Sequence, residues 1–206
     1  MIKRSLEFSI SLLGLIVLSP LFLVTAILIK WDSPGTIFFK QERVGRKFRP
    51  FYIYKFRTMV ADAPQKGGSI TFGADSRITR VGKLLRKTKI DEIPQLLNVL
   101  KGDMSFVGPR PEVRQYVELF REDYREILEI KPGITDLASL KYRDEAAVLA
   151  LSKNPQEEYV KRVLPDKIHL AKVYQQRSSL LFDIKLVART VLKLCGWRMV
   201  NDTDRS

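Results

Sequence analysis

The sequence predicts an α+β fold, mostly helical, in which an amino-terminal membrane helix leads into a compact domain with a small β element. Three observations predict it. Residues 10–29 read ISLLGLIVLSPLFLVTAILI without a charge, about the 20 residues needed to cross a bilayer. Residues 37–56 hold short β-branched and aromatic runs between turn signals. From residue 77 onward, apolar positions recur at helical spacing.

A chain of 206 residues accommodates one membrane segment, placed at 1–31, and one compact domain, placed at 32–206. Its formal charge of +13 calls for a polyanionic partner, and nucleic acid, anionic headgroups and phosphorylated small molecules all satisfy that demand. With Cys195 and His169 the sole residues of their types, the chain forms no internal disulfide and no Cys/His zinc cage. That usage suits a reducing cytoplasm. His169 reads as a surface or core residue in preference to a base. Neither GxGxxG nor GxxxxGK[ST] occurs, so any phosphate site is built in another way.

Within the apolar segment, Ser19 and Pro20 fall at the midpoint. Proline removes a helical hydrogen bond and predicts a kink, and the serine hydroxyl is placed to satisfy a freed carbonyl. Both flanks are basic, with Lys3 and Arg4 before and Lys30, Lys40, Arg43, Arg46, Lys47 and Arg49 after. Each flank resists export. A kinked single span would put one of them outside, whereas a helix-break-helix hairpin keeps both inside.

Turn signals at Ser33-Pro34-Gly35, Gly45 and Pro50 bound two expected strands, Ile37 to Gln41 and Phe51 to Phe56. Val60 to Asp75, with Gly67, Gly68 and Gly73, reads as a mobile loop. Arg77 to Lys89 places Ile78, Val81, Leu84 and Leu85 opposite Arg77, Arg80, Lys83 and Lys87. This is a basic amphipathic helix, for packing on the core or for contact with a membrane surface.

A short helix follows over Glu92 to Leu100, with Asp91 as its N-cap, Pro94 in its first turn and Gly102 past its end. Further helices are expected at Glu112 to Ile130, Arg143 to Leu151, Glu157 to Tyr174 and Leu180 to Cys195. The last carries an apolar stripe beside Lys185, Arg189 and Lys193 and also suits anionic lipid.

Asp91 and Glu92 stand among Arg86, Lys87, Lys89, Lys101 and Arg110. A carboxylate can act as a nucleophile in phosphoryl transfer when cations neutralise the phosphate it approaches. Neighbouring helical residues diverge by about 100°, so the two carboxylates serve separate roles. The bland alternative is that Asp91 only caps a helix. In KGDMSFVGPRP, glycines and prolines fix a loop that presents Arg110, either to grip a diphosphate bidentately or as an ordinary surface arginine.

These residues resemble the small monotopic phosphoglycosyl transferases, bacterial sugar transferases that begin polysaccharide and glycoprotein pathways. The resemblance covers nearly the whole chain. It rests on the apolar segment with Ser19-Pro20, FKQERVG at Phe39 to Gly45, YKFRTM at Tyr54 to Met59, KIDEIPQLLNVLKGDMSFVGPRPE at Lys89 to Glu112, and KPGIT at Lys131 to Thr135.

The resemblance implies a re-entrant membrane helix broken at Ser19-Pro20, with the catalytic domain on the cytoplasmic face of the bacterial inner membrane. It implies that Asp91 attacks the β-phosphate of a UDP-sugar, releasing UMP, and that polyprenyl phosphate, undecaprenyl phosphate in particular, then takes the phosphosugar. Magnesium would bridge Asp91 and the diphosphate, with Glu92 orienting the site or acting as a base. Arg86, Arg110 and Arg143 match positions expected near phosphate and nucleotide sugar. Implied partners are the two substrates and anionic lipids, with no nucleic acid, and a homodimer is left open. Two departures follow the PGIT motif, where Asp136 and Ser139 stand in place of the common glycine and glutamine. They bear on sugar choice, Asp136 being expected to accept hydrogen bonds from sugar hydroxyls.

Overall fold

The computed structural model describes residues 2–68, 71–73 and 75–194. The amino-terminal segment forms two helices, α1 (Ile2–Val17) and α2 (Ser19–Asp32), bent by 58° at the break between them. No single helix here is long and apolar enough to cross a membrane, but the bent pair together meets that length and composition. The break has a local chemical cause. Pro20 cannot donate to the carbonyl of Ile16, its partner four residues back; the Ser19 hydroxyl donates to that oxygen instead, at 2.7 Å.

Both ends of the pair are fastened to the same body. From the first turn of α1, Lys3 pairs with Asp183 at 2.6 Å, and Arg4 donates to the carbonyl of Leu100 at 2.8 Å. At the far end, Arg57 donates to the carbonyls of Pro34 and Ser33 at 2.6 and 2.7 Å, and Asp32 accepts from the Val81 amide at 2.8 Å. Between these anchors Leu13, Ile16, Val17 and Leu23 each stay more than 60% exposed, so the outer face of the pair is apolar.

The expected strands form an antiparallel hairpin of β1 (Phe38–Val44) and β2 (Pro50–Phe56). Phe56 is buried beneath it, edge-on to Phe22 at 5.0 Å and stacked on Phe38 at 5.5 Å. The hairpin thereby seats α2. The basic amphipathic helix is α3 (Arg80–Thr88), whose Leu85 is buried with Ile29 and Phe56 while Leu84 is 56% exposed.

Next the structure departs from the expected single helix. Ile90–Gln95 is a 3-10 turn and α4 (Leu96–Lys101) begins after it. Asp91 is therefore not an N-cap, because it lies inside the 3-10 turn and Lys89 occupies the capping position in a left-handed conformation. Pro94 supplies the reason: an N-cap carboxylate accepts from the second or third amide beyond it, and the third residue after Asp91 has no N–H. Gly102 closes α4 at φ 91°, as expected.

β3 (Ser105–Val107) pairs in parallel with β4 (Gly133–Thr135), joining two motifs that read as loops in the sequence. Between them the expected helix over Glu112 to Ile130 is divided into α5 (Arg114–Leu119) and α6 (Arg121–Ile127) at Phe120. The division lets Tyr116 and Val117 bury in the same cluster as Tyr124, Ile127 and Leu128.

Beyond β4 come α7 (Leu137–Lys141), which the sequence did not announce, α8 (Glu145–Ala150) and α9 (Pro155–Glu158). A widened turn over Tyr159–Val163 precedes α10 (Leu164–Arg177), where Pro165 lacks the amide a regular helix would use. The last helix, α11 (Leu180–Leu194), buries Leu186 and Asp183 and leaves Leu181 and Ile184 exposed. The expected end of this helix at Cys195 lies outside the described residues, as do Ser69, Ile70 and Ala74 of the expected loop.

Gly82 tests this packing. In a free helix, replacing it with alanine would stabilise by up to about 1 kcal/mol. Here an added Cβ would sit 2.1 Å from the carbonyl oxygen of Thr58, and overpacking of that kind costs roughly 1–3 kcal/mol. Gly82→Ala is expected to lower the urea midpoint of the detergent-solubilised protein, and a raised midpoint would contradict the packing of α3 on Thr58.

Candidate functional site

Asp91, Glu92, Arg86, Arg110 and Arg143, all proposed from the sequence as catalytic or phosphate-binding, line one cavity of about 1450 Å³. Leu18, at the bend of the amino-terminal helices, lines it too. Ser19 and Pro20 lie at the bend outside the lining. His169 is exposed on α10, in keeping with a surface residue.

The acidic pair divides sharply by environment. Glu92 is gripped from two directions, by Lys55 at 2.8 Å and by Arg110 at 2.6 Å. Burial alone would raise its pKa, but the charges of Arg110 and Lys55 outweigh burial and hold the carboxyl well below the usual range. Glu92 in turn raises the pKa of the Arg110 guanidinium further. Lys55 is lowered by burial, with Glu92 opposing the shift. Three segments thus meet in one ion cluster: β2, the 3-10 turn and the Gly108–Pro111 loop.

Asp91 has the opposite character. It is 7% exposed, and its Oδ1 has no hydrogen-bond partner among the described residues. Burial raises its pKa, with Lys55 opposing and Glu92 reinforcing that shift. A buried, unpartnered carboxylate oxygen costs stability unless something outside the fold satisfies it. Arg86 stands in the same wall, its Nε donating to the Thr58 hydroxyl at 2.9 Å, and burial lowers its pKa. The arrangement is a buried carboxylate whose Oδ1 has no partner among the described residues, in a cavity wall that carries positive charge.

The donor set bears on magnesium. Among the described residues no group of three or more His, Cys, Asp or Glu side chains surrounds an ion site, so those residues build no all-protein metal cage. Magnesium commonly takes only one or two carboxylates and completes its shell with substrate phosphates and water. The free oxygen of Asp91 fits that mode, whereas Glu92 is already committed.

Arg110 owes its position to a second network. Glu112 accepts from Arg43 at 2.9 Å and from the Tyr159 hydroxyl at 2.6 Å, which pins the RPE segment to β1 and the core. Asp136 belongs to this scaffold as well. Its Oδ1 accepts from the Ser139 amide at 2.6 Å and its Oδ2 from the Arg110 amide at 3.1 Å. The expectation that Asp136 meets sugar hydroxyls is therefore corrected: at 2% exposure it caps α7 and holds the arginine loop. Ser139 does line the cavity, with a hydroxyl that has no partner among the described residues.

Arg143 is partly spent on structure, donating to the carbonyl of Lys193 in α11. Sequence reasoning overlooked Lys55, although a lysine between Tyr54 and Phe56 in an otherwise aromatic strand was a signal that it faces something charged. It was legible as an oddity and not as the partner of Glu92, 37 residues away.

Comparison with known proteins places these residues in company. A family profile described as bacterial sugar transferase matches residues 1–196. A UDP-N-acetylgalactosamine-undecaprenyl-phosphate N-acetylgalactosaminephosphotransferase of Aeromonas hydrophila is 46% identical over 144 residues, which cover 68% of this chain and 34% of that protein. An uncharacterised sugar transferase of Bacillus subtilis is 36% identical over 98% of this chain and 92% of its own length. A UDP-glucose:undecaprenyl-phosphate glucose-1-phosphate transferase of Escherichia coli is 36% identical over 94% of this chain. The chain spans 34% and 40% of the Aeromonas and Escherichia proteins.

The contrast between the two carboxylates is measurable as stability. Glu92→Gln leaves Lys55 and Arg110 facing one another without their counter-charge and should cost about 3 kcal/mol. Asp91→Asn should do the reverse and raise the unfolding midpoint at neutral pH. A carboxyl whose pKa is higher folded than unfolded is destabilised as it ionises, so this gain is absent below the ordinary aspartate value of 3.8 and develops as pH rises past it. Denaturant titrations at pH 3.5 and 7.5 check the sign, and a loss of stability in Asp91→Asn at the higher pH would refute it.

Proposed function

Since the chain belongs to the bacterial sugar transferase family, we propose that it transfers a sugar 1-phosphate from a UDP-sugar to polyprenyl phosphate, with Asp91 as the nucleophile. The observation that carries this reading is the unpartnered Oδ1 of Asp91 in a cavity lined by cations. The names of the Aeromonas and Escherichia relatives, both undecaprenyl-phosphate sugar phosphotransferases, support the two substrates.

In the first half-reaction, Asp91 Oδ1 attacks the phosphorus that bears the sugar. The bond to the bridging oxygen breaks, UMP leaves, and an acyl phosphate joins the phosphosugar to Asp91. In the second, an oxygen of the acceptor phosphate attacks the same phosphorus and expels the carboxylate, giving the polyprenyl diphosphosugar. Magnesium, which Asp91 would help to hold, would supply charge neutralisation when the donor binds. Glu92 holds Arg110 and Lys55 at fixed positions, and Arg110 and Arg86 bind phosphate oxygens. Because Glu92 is kept ionised by two cations, it orients the site and does not carry the proton of a neutral acid.

The bent helices support a monotopic, re-entrant placement in the inner membrane with the cavity on the cytoplasmic side. The first turn of α1 and the end of α2 are both tied to one body, through Lys3, Arg4, Asp32 and Arg57. A straight span would have to pull either end away from that body. The apolar outer face then meets lipid, and Leu18 brings the cavity to the bilayer.

Incubating the protein with UDP-sugar and no lipid acceptor should release about one equivalent of UMP and add the mass of one phosphosugar to the peptide bearing Asp91. Asp91→Asn should lose both signals and at least about a thousandfold of turnover. Product formation that demands acceptor for any UMP release would instead establish direct one-step displacement.

Topology is checked separately. In a Cys195→Ser background, a cysteine introduced at Ile2 should resist a membrane-impermeant thiol reagent applied to intact cells and react after the membrane is opened. Labelling of intact cells would exclude the re-entrant placement.

A further inference from the structure

The reaction brings two anionic substrates to one cavity, yet most of its cations are already engaged. Glu92 takes Lys55 and Arg110, Glu112 takes Arg43, Asp75 takes Arg77, and Glu145 takes Lys167. Lys89 acts on Asp91 and Glu92 through its charge alone, and two others stand apart. Lys83 and Lys87 line the cavity one helical turn apart on the same side of α3, and neither side chain has an ion pair or hydrogen bond among the described residues. Both are exposed.

The cavity also has an apolar part to its lining, which includes the bend. Leu18, Phe39, Ile93 and Leu96 line the same cavity, and α3 starts where α2 ends, through the bond between Asp32 and the Val81 amide. Leu84, between the two lysines in sequence, is 56% exposed, so the helix carries apolar surface beside its charges. A ligand fitting this wall has an anionic head at α3 and a long apolar body running toward Leu18. A nucleotide sugar lacks such a body, and a phosphomonoester on an isoprenoid chain has one.

We infer that Lys83 and Lys87 form the subsite for the phosphate of the lipid acceptor, separate from the Arg110 wall, and that the acceptor's chain leaves past Leu18. The inference rests on the transfer reading above. Flexible lysines suit this role, since an ammonium is a mobile point charge that can follow a phosphate, whereas the guanidinium of Arg110 is fixed by Glu92. From this subsite an acceptor phosphate oxygen reaches the phosphorus held by Asp91; one P–O bond forms, the acyl phosphate P–O bond breaks, and the carboxylate is regenerated.

A two-step reaction allows the sites to be assayed apart. In the Lys83→Gln/Lys87→Gln double variant, UMP release from UDP-sugar without acceptor should stay within about twofold of wild type. The KM for undecaprenyl phosphate should rise about tenfold or more while kcat is retained. The Lys83→Arg/Lys87→Arg variant should restore the KM, which a merely structural role would not require. Binding to phosphatidylglycerol vesicles, measured in parallel, separates acceptor recognition from general lipid adhesion.

An unchanged acceptor KM, or a donor half-reaction that falls in step, would overturn the assignment. So would a KM effect that vanishes once membrane-bound enzyme is equalised. A wild-type protein that released no UMP would sink the transfer reading and this subsite with it, and the wild-type control tells that failure from one confined to the lysines.

Discussion

Glu92 is where the structure is tied together. Lys55 arrives from the hairpin, Arg110 from the loop after β3, and Glu92 itself from the turn that also carries Asp91. A buried carboxylate between two cations tolerates little displacement, because any of the three charges left alone would be desolvated without compensation. The grip on Glu92 therefore fixes the segment on which the neighbouring Asp91 is mounted. It also occupies Lys55, whose charge reaches Asp91, while the Asp91 Oδ1 has no partner among the described residues. Ordered neighbours and an unsatisfied carboxylate oxygen are two results of one arrangement.

Pro94 completes that arrangement. An ordinary helix start would have given Asp91 an amide to accept from, and the carboxylate would have been spent on capping. Proline at the third position withdraws the amide, and the chain adopts a 3-10 turn. The same device operates at Pro20, where loss of an amide frees the Ile16 carbonyl and the Ser19 hydroxyl takes it up. In the first case a side chain is set free for chemistry. In the second, a backbone group is satisfied so that the bend can sit in an apolar setting.

Much of the fold was legible because its causes are local. The break at Ser19-Pro20, the hairpin strands, the basic helix before Asp91 and the stop at Gly102 follow from residues within a turn or two of each other. What escaped the sequence depends on distant partners. The division of the predicted helix at Phe120 carries no proline or glycine, and arises because two apolar faces serve one core cluster. The β3–β4 pair unites motifs some 28 residues apart. Asp136 read as a sugar ligand from its place beside a motif, yet two backbone amides claim both of its oxygens.

By itself the sequence determined the family, the apolar bent segment, the acidic pair and the cations available to it, since these are matters of residue type and short spacing. Only the tertiary structure decided which carboxylate is bound and which is free, that Lys55 is the second partner of Glu92, and that Lys83 and Lys87 remain open while Arg43, Arg77 and Lys167 do not. The physical reason is that a charge is defined by what lies within a few ångströms of it, and those neighbours come from segments that folding alone brings together.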